Sequence, residues 1–192
     1  LDWVCSVTNT SIDQTLKNVE SFYSEKDSIS NAPFFLPYLS GERTPHNDPH
    51  IRGSFHSIKT FTDSTNLQYA VIEGVSFGIL DGVNSIKKVN SDFENIFMVG
   101  GGSRSSFWIE LLSTLLNRKL SVCEQSEFGA ALGVARLGMY VDDNINYENE
   151  IIREIKVSKE YQPKSSNMDL LIKRYTIWKD LYTSNKKNIL TI

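Results

Sequence analysis

Ile96-Phe97-Met98-Val99, running into Gly100-Gly101-Gly102-Ser103-Arg104-Ser105-Ser106, constrains the fold more than any other stretch of this chain. Four consecutive apolar residues match a strand covered on both faces. Three glycines remove every Cβ where the backbone must turn sharply, and they permit positive φ. The serines behind them are candidate caps for a helix whose Trp108, Leu111, Leu112, Leu115 and Leu116 recur at i, i+3, i+4, i+7 and i+8. A helix N-terminus carries unpaired N–H groups and partial positive charge, so this arrangement can receive phosphate. The same residues also describe a tight turn that only packs a helix on its sheet. No Lys-Ser/Thr pair follows Gly102 and no later glycine completes a dinucleotide fingerprint, so both familiar phosphate-loop folds are excluded.

The segments around this turn alternate. Leu120 to Cys123 reads as a short strand, and Glu124 to Glu127 connects it to a helix with Phe128, Ala131, Leu132 and Ala135 on one face. Strand, helix, strand, helix implies an α/β sheet with parallel pairing and right-handed crossovers, whose ligands bind beyond the carboxyl ends of the strands. That is where Gly100 to Gly102 lie.

Upstream, residues 1 to 23 have the rhythm of one amphipathic helix, and Pro33 to Leu39 reads as a strand kept at an edge by its prolines. A long loop from Ser40 to Gly53 is dense in turn formers and charge, and long loops in compact domains are commonly functional. It is either a cleft loop offering Glu42, Arg43, Asp48 and Arg52, or a surface loop held by pairs among those four. Ser54 to Ile58 alternates like a strand. The histidines at 46, 50 and 56 match no metal-ligand spacing, and no metal site is expected. Thr65 to Lys88 predicts the longest helix, with Ala70, Gly74, Gly78 and Gly82 forming a smooth ridge for close approach. A polar break covers 142–150, residues 151–157 are expected to be extended, and a last amphipathic helix runs from about Asn167 to Ser184.

The balance of 20 basic and 23 acidic residues lacks the excess that nucleic acid or an anionic membrane would select. Cys5 and Cys123 form no Cys-x-x-Cys pair, so a reducing cytoplasm is the default compartment. No apolar run is long enough for a membrane span, and no signal-peptide order is evident. Without a repeat or a low-complexity linker, the 192 residues are read as one domain, and Leu1 in place of methionine suggests a piece of something longer.

Several stretches together resemble the C-terminal half of the FGGY carbohydrate kinase family. Phe35 to Pro49, with Ser40-Gly41-Glu42-Arg43-Thr44-Pro45 at its centre, resembles the form carried by members that phosphorylate D-xylulose. Gly53-Ser54-Phe55-His56, Asn66-Leu67 and Ala70-Val71-Ile72-Glu73-Gly74 resemble the family's second signature, with Ser57 standing where the family has glycine. Gly100 to Ser103, Ser105, Trp108 and Glu127 to Leu137 resemble its adenosine-binding stretch, with Glu110, Thr114 and Asn117 replacing residues usual there.

The resemblance implies a ribonuclease H-like domain of the actin and hexokinase type, a mixed sheet flanked by helices with an added C-terminal helix. It implies ATP and Mg²⁺ as cofactors, with Gly100, Gly101, Gly102 and Ser103 by the phosphates and ribose, Ser105 near the adenine, and Asp2 at the nucleotide end of a cleft. It further implies that the sugar site and the catalytic aspartate belong to an N-terminal domain absent from this chain. No catalytic residue is then expected here, and the isolated chain is expected to be inactive. Other sugar or polyol substrates (ribulose, gluconate, glycerol), a non-catalytic module of the same fold, and a homodimer stay open.

Overall fold

A computed structural model describes residues 1–25, 27–89, 95–124, 126–139, 156–164 and 166–188. They fall into two compact units, Leu1–Asp92 with Lys164–Ile192, and Phe93–Pro163.

The first unit is built around α4 (Ser64–Val89), the long helix that the apolar spacing predicts. Its Tyr69, Ala70, Ile72 and Phe77 are almost fully buried. The N-terminal stretch is two helices, α1 (Asp2–Thr8) and α2 (Ile12–Ser24), where one was expected. Apolar rhythm cannot register the break, because polar residues make it. Asn9 takes the left-handed conformation at φ 53° and closes α1, and the Ser11 side chain accepts from Gln14 N to open α2. Gln68 Nε2 on α4 donates to Thr8 Oγ1 and Thr10 Oγ1 at 2.9 and 3.1 Å, which satisfies the buried polar groups of that turn.

After the one-turn α3 (Ser28–Asn31), β1 (Phe34–Leu36) pairs antiparallel with β2 (Ser54–His56), Phe35 facing Phe55. The strand β1 lies directly on α4. A Cβ on Gly74 would stand 2.2 Å from the Phe35 carbonyl oxygen, so this one position of the expected ridge must be glycine. Among the described residues, a Cβ on Gly78 would have its nearest atom at 3.8 Å, and one on Gly82 would meet nothing within 4 Å. Close approach therefore explains one of the three glycines.

The last helix, α7 (Met168–Asn188), closes this unit. Trp178 is fully buried and donates through Nε1 to Phe35 O at 2.7 Å. Arg174, 4% exposed, reaches Glu73 on α4 with Nε to Oε1 at 2.7 Å and Nη2 to Oε2 at 2.6 Å. Nη1 and Nη2 also donate to the Ala32 and Pro33 carbonyls, and the guanidinium carbon lies over the Phe34 ring. Burial pushes the Glu73 carboxyl up, and the guanidinium and the Tyr69 hydroxyl oppose it.

The second unit is a three-stranded mixed sheet in the order β3 (Phe97–Met98), β4 (Leu120–Cys123), β5 (Val157–Tyr161). The expected parallel pairing holds for β3 and β4, and β5 runs antiparallel to β4. Helix α5 (Ser106–Leu116) covers the sheet, burying Leu111, Leu112, Leu115 and Leu116 as the spacing requires, and Phe107 and Ile109 with them. Helix α6 (Gly129–Met139) follows β4. The expectation that β3 is covered on both faces is corrected: Phe97 and Val99 are 36% and 58% exposed. Phe97 and Val99 are two residues apart and fall on one side of the strand, a side left partly open among the described residues; a continuous apolar run cannot tell an open face from a covered one. Of the stretch expected to be extended at 151–157, only Val157 falls in a described strand, β5, which runs on to Tyr161, beyond the expected bounds. The polar break at 142–150 and residues 151–155 lie outside the described residues.

Candidate functional site

The glycine turn has the predicted strand and helix on either side of it. Gly100 follows β3 with φ 81° and ψ −171°, a conformation open to glycine alone. Gly101–Arg104 then form a single 3-10 turn. Its shape is held by hydrogen bonds: Ser103 N donates to Gly100 O at 3.0 Å and Ser103 Oγ to the same oxygen at 2.7 Å. Among the described residues nothing lies within 4 Å of where a Cβ on Gly100 or Gly101 would stand, so they leave the outer side of the turn open. Gly102 rests against the Trp108 ring. Ser105 is the cap that the sequence predicts, its Oγ accepting from Trp108 N at 3.2 Å. The structure thus commits the Ser105 side chain to starting α5.

One residue of this turn was not singled out by sequence. Ser126, in the connection after β4, accepts the Gly100 N–H on its carbonyl at 2.8 Å, and its hydroxyl pairs with Ser103 Oγ at 3.0 Å. A lone serine 23 positions downstream carries no signal that could have marked it.

Asp2 is exposed in the first turn of α1, in the other unit. The four loop residues also lie in that unit, and they part company. Glu42 and Asp48 exchange both backbone hydrogen bonds, at 2.9 and 2.8 Å. The Glu42 carboxylate takes the His46 N–H at 2.8 Å. Asp48 Oδ1 accepts from His50 N and Ile51 N, while Oδ2 accepts from the Tyr182 hydroxyl and faces Lys186 at 3.4 Å. Arg52 donates to the Pro49 and Ile51 carbonyls, and Arg43 is exposed. The loop is therefore ordered, but the expected pairing among its four charges is corrected. Three backbone N–H groups, two backbone carbonyls and α7 take the partners' places. A carboxylate two to four residues from a turn amide closes a small loop at little cost and needs no long arginine side chain to be ordered beside it.

The histidines disperse: His46 stacks on Tyr182 with ring centroids 3.7 Å apart, His56 bonds Ser54 Oγ, and His50 is exposed. Among the described residues no three His, Cys, Asp or Glu come together to hold a metal ion. No helix among them is long and apolar enough to cross a membrane.

Two departures from the family pattern have a backbone meaning. Ser57 sits at φ 61° and Asn117 at φ 48°, both left-handed, where glycine costs least. Asn117 is the C-cap of α5, and its N–H reaches the Ser113 and Thr114 carbonyls. The third, Thr114, is buried and bonds the carbonyl of the fourth, Glu110.

Asp48 supplies a pH test of the loop. Burial pushes its carboxyl up, but the His50 and Ile51 amides, Tyr182 and Lys186 outweigh this and hold it below the usual carboxylate range. A depressed folded pKa stabilises above the unfolded value, about 3.9, and that stabilisation fades as pH falls through the folded pKa. The protection of the His50 and Ile51 amides, measured against their intrinsic exchange rates, is expected to fall below about pH 4, and Asp48→Asn should show no such step.

An α/β architecture with a mixed sheet and flanking helices is consistent with the ribonuclease H-like fold of the actin and hexokinase type that the resemblance implies. Residues 1–141 match the model of the FGGY family of carbohydrate kinases, C-terminal domain, and the chain belongs to that family. A xylulose kinase of Staphylococcus epidermidis is 32% identical over 85% of this chain and 34% of its own length. One from Escherichia coli is 28% identical over 95% of this chain and 37% of its own. Among solved structures, a "xyloylose kinase" of Brucella ovis superposes with TM-score 0.79 at 31% identity, covering 95% of this chain and 37% of its own. A glycerol kinase of Plasmodium falciparum shares the fold, with TM-score 0.70 at 17% identity over all of this chain and 36% of its own. The chain spans about a third of the length of the curated relatives it matches, 34% and 37% in these two.

Proposed function

We propose that this chain is the nucleotide-binding, C-terminal domain of a kinase that transfers the γ-phosphoryl group of ATP to D-xylulose. The observation that carries the reading is the turn at Gly100, held by Ser103 and Ser126 and open above Gly101. An open glycine backbone admits a phosphate to contact distance, which any side chain would prevent. The xylulose assignment leans on the loop from Phe35 to Pro49 and on relatives that are named xylulose kinases.

ATP fits the turn at Gly100, Gly101, Gly102 and Ser103. Mg²⁺ is bound in such enzymes largely through the nucleotide's phosphates and water, with few carboxylates, so the lack of a carboxylate cluster among the described residues is compatible with it. Phosphoryl transfer also needs a carboxylate beside the attacking hydroxyl. Glu73 and Asp48 are both committed to internal partners, and we assign that group, with the sugar pocket, to an N-terminal domain outside this chain. Asp2 and Arg43 are assigned to the cleft that such a domain would complete. Two free cysteines suit a cytoplasmic enzyme.

The test is direct. The 192-residue chain should bind ATP·Mg²⁺, shifting the backbone amides of Gly100 to Ser106, and show no sugar-dependent ADP formation. Joined to the N-terminal half of a xylulose kinase, it should turn over D-xylulose in preference to ribulose, gluconate or glycerol. Silence to millimolar ATP would favour a non-catalytic module, and turnover by the chain alone would sink the division of labour.

A further inference from the structure

Gly100 sits at a backbone conformation open to glycine alone, and both of its polar groups are fixed. Its N–H is held by the Ser126 carbonyl at 2.8 Å, and its carbonyl oxygen takes Ser103 N at 3.0 Å and Ser103 Oγ at 2.7 Å. A serine hydroxyl has one proton. Because that of Ser103 goes to Gly100 O, the 3.0 Å contact between the two hydroxyls must be donated by Ser126. Ser126 therefore grips the turn twice, with its carbonyl on Gly100 and its O–H on Ser103. Its own segment is anchored in turn, since Glu124 N donates to Lys156 O at 3.0 Å beside β5.

We propose that Ser126 is a positioning residue of the nucleotide turn: through Ser103 and Gly100 it sets the backbone shape that receives the phosphates. This rests on the reading of the turn as a nucleotide site. A glycine turn left to itself samples many conformations, and freezing them on binding would cost affinity. A clasp from a segment remote in sequence removes that cost before the ligand arrives. The clasp needs the hydroxyl of Ser126, because the carbonyl alone leaves Ser103 Oγ without its donor.

The experiment uses the full chain and four variants: Ser126→Ala, Ser103→Ala, the double variant, and Ser126→Thr, which restores a hydroxyl. Three quantities are measured: ATP·Mg²⁺ affinity by calorimetry, hydrogen exchange of the Gly100 and Ser103 amides without ligand, and the thermal midpoint. Ser126→Ala is expected to weaken ATP about 5- to 10-fold, the loss of one hydrogen bond, and to speed exchange at Gly100 by about as much. The midpoint should hold, and Ser126→Thr should recover affinity. The double variant should bind no more weakly than the poorer single one, because both remove the same contact. Ser103→Ala reads that contact from the other side should Ser126→Ala fail to fold.

Unchanged exchange at Gly100 in Ser126→Ala would overturn the clasp whatever the parent chain binds. Faster exchange with unchanged affinity would overturn its positioning role. A parent chain that binds no ATP at millimolar concentration would remove the nucleotide reading and the positioning role with it.

Discussion

Replacing Arg174 with methionine is expected to destabilise the chain by about 3–5 kcal/mol, the usual cost of stranding one member of a buried ion pair. Glu73 is 1% exposed, and without the guanidinium its carboxylate keeps, among the described residues, only the Tyr69 hydroxyl at 3.0 Å. The loss spreads further, because Arg174 also satisfies the Ala32 and Pro33 carbonyls just before β1. Against a typical total of about 5–15 kcal/mol, this is enough to leave a substantial unfolded fraction at 37 °C. Urea unfolding at pH 7 measures it.

Two controls separate the charge from the shape. Pairing Arg174→Met with Glu73→Leu should recover most of the loss, since an apolar pair of similar volume avoids the desolvation of two charges. In the single variant, burial now acts on Glu73 without its chief opponent, so its folded pKa rises. A raised carboxyl destabilises above its unfolded value and the penalty shrinks as the group protonates, so the deficit relative to the parent should narrow as pH is lowered toward about 4.3. A deficit independent of pH would mean that packing over Phe34, and not the stranded charge, dominates.

Gly74→Ala is expected to cost roughly 3 kcal/mol or more, at the top of the range for overpacking, because the new methyl meets backbone. The Phe35 oxygen stands 2.2 Å from that Cβ and also receives Trp178 Nε1, so moving β1 away loosens α7 as well. Gly82→Ala, in the same helix and in open space, should instead stabilise by about 1 kcal/mol through helix propensity. Parallel thermal melts of the two variants should move in opposite directions. Equal shifts would remove the distinction between a packing glycine and a permissive one.

Much of the architecture was legible in the residues. Periodicity located α4, α5 and α7, the alternation of elements implied the parallel pair β3–β4, and Ser105 was recognisable as a cap. The failures have physical causes. Apolar rhythm ran through the break at Asn9, because the break is made by polar residues that rhythm does not count. Four apolar residues at 96–99 suggested burial on both faces, but Phe97 and Val99 are partly open, because an apolar run does not record which face a neighbouring layer covers. The loop charges looked like partners for one another, but nearby amides and a helix more than a hundred residues downstream competed better.

By itself the sequence determined the local properties: which segments are helices and strands, which glycines lift the steric limit on φ, and which family pattern the chain follows. These depend on spacings of a few residues. Tertiary structure alone decided the pairings across long separations: Arg174 with Glu73, Trp178 with Phe35, Asp48 with Tyr182, and Ser126 with Ser103 and Gly100. Such contacts form because burial leaves each donor and acceptor to be satisfied by whatever the fold brings within 3 Å or so, and no linear spacing records that. The glycine turn was visible from the start; the serine that holds it in shape was not.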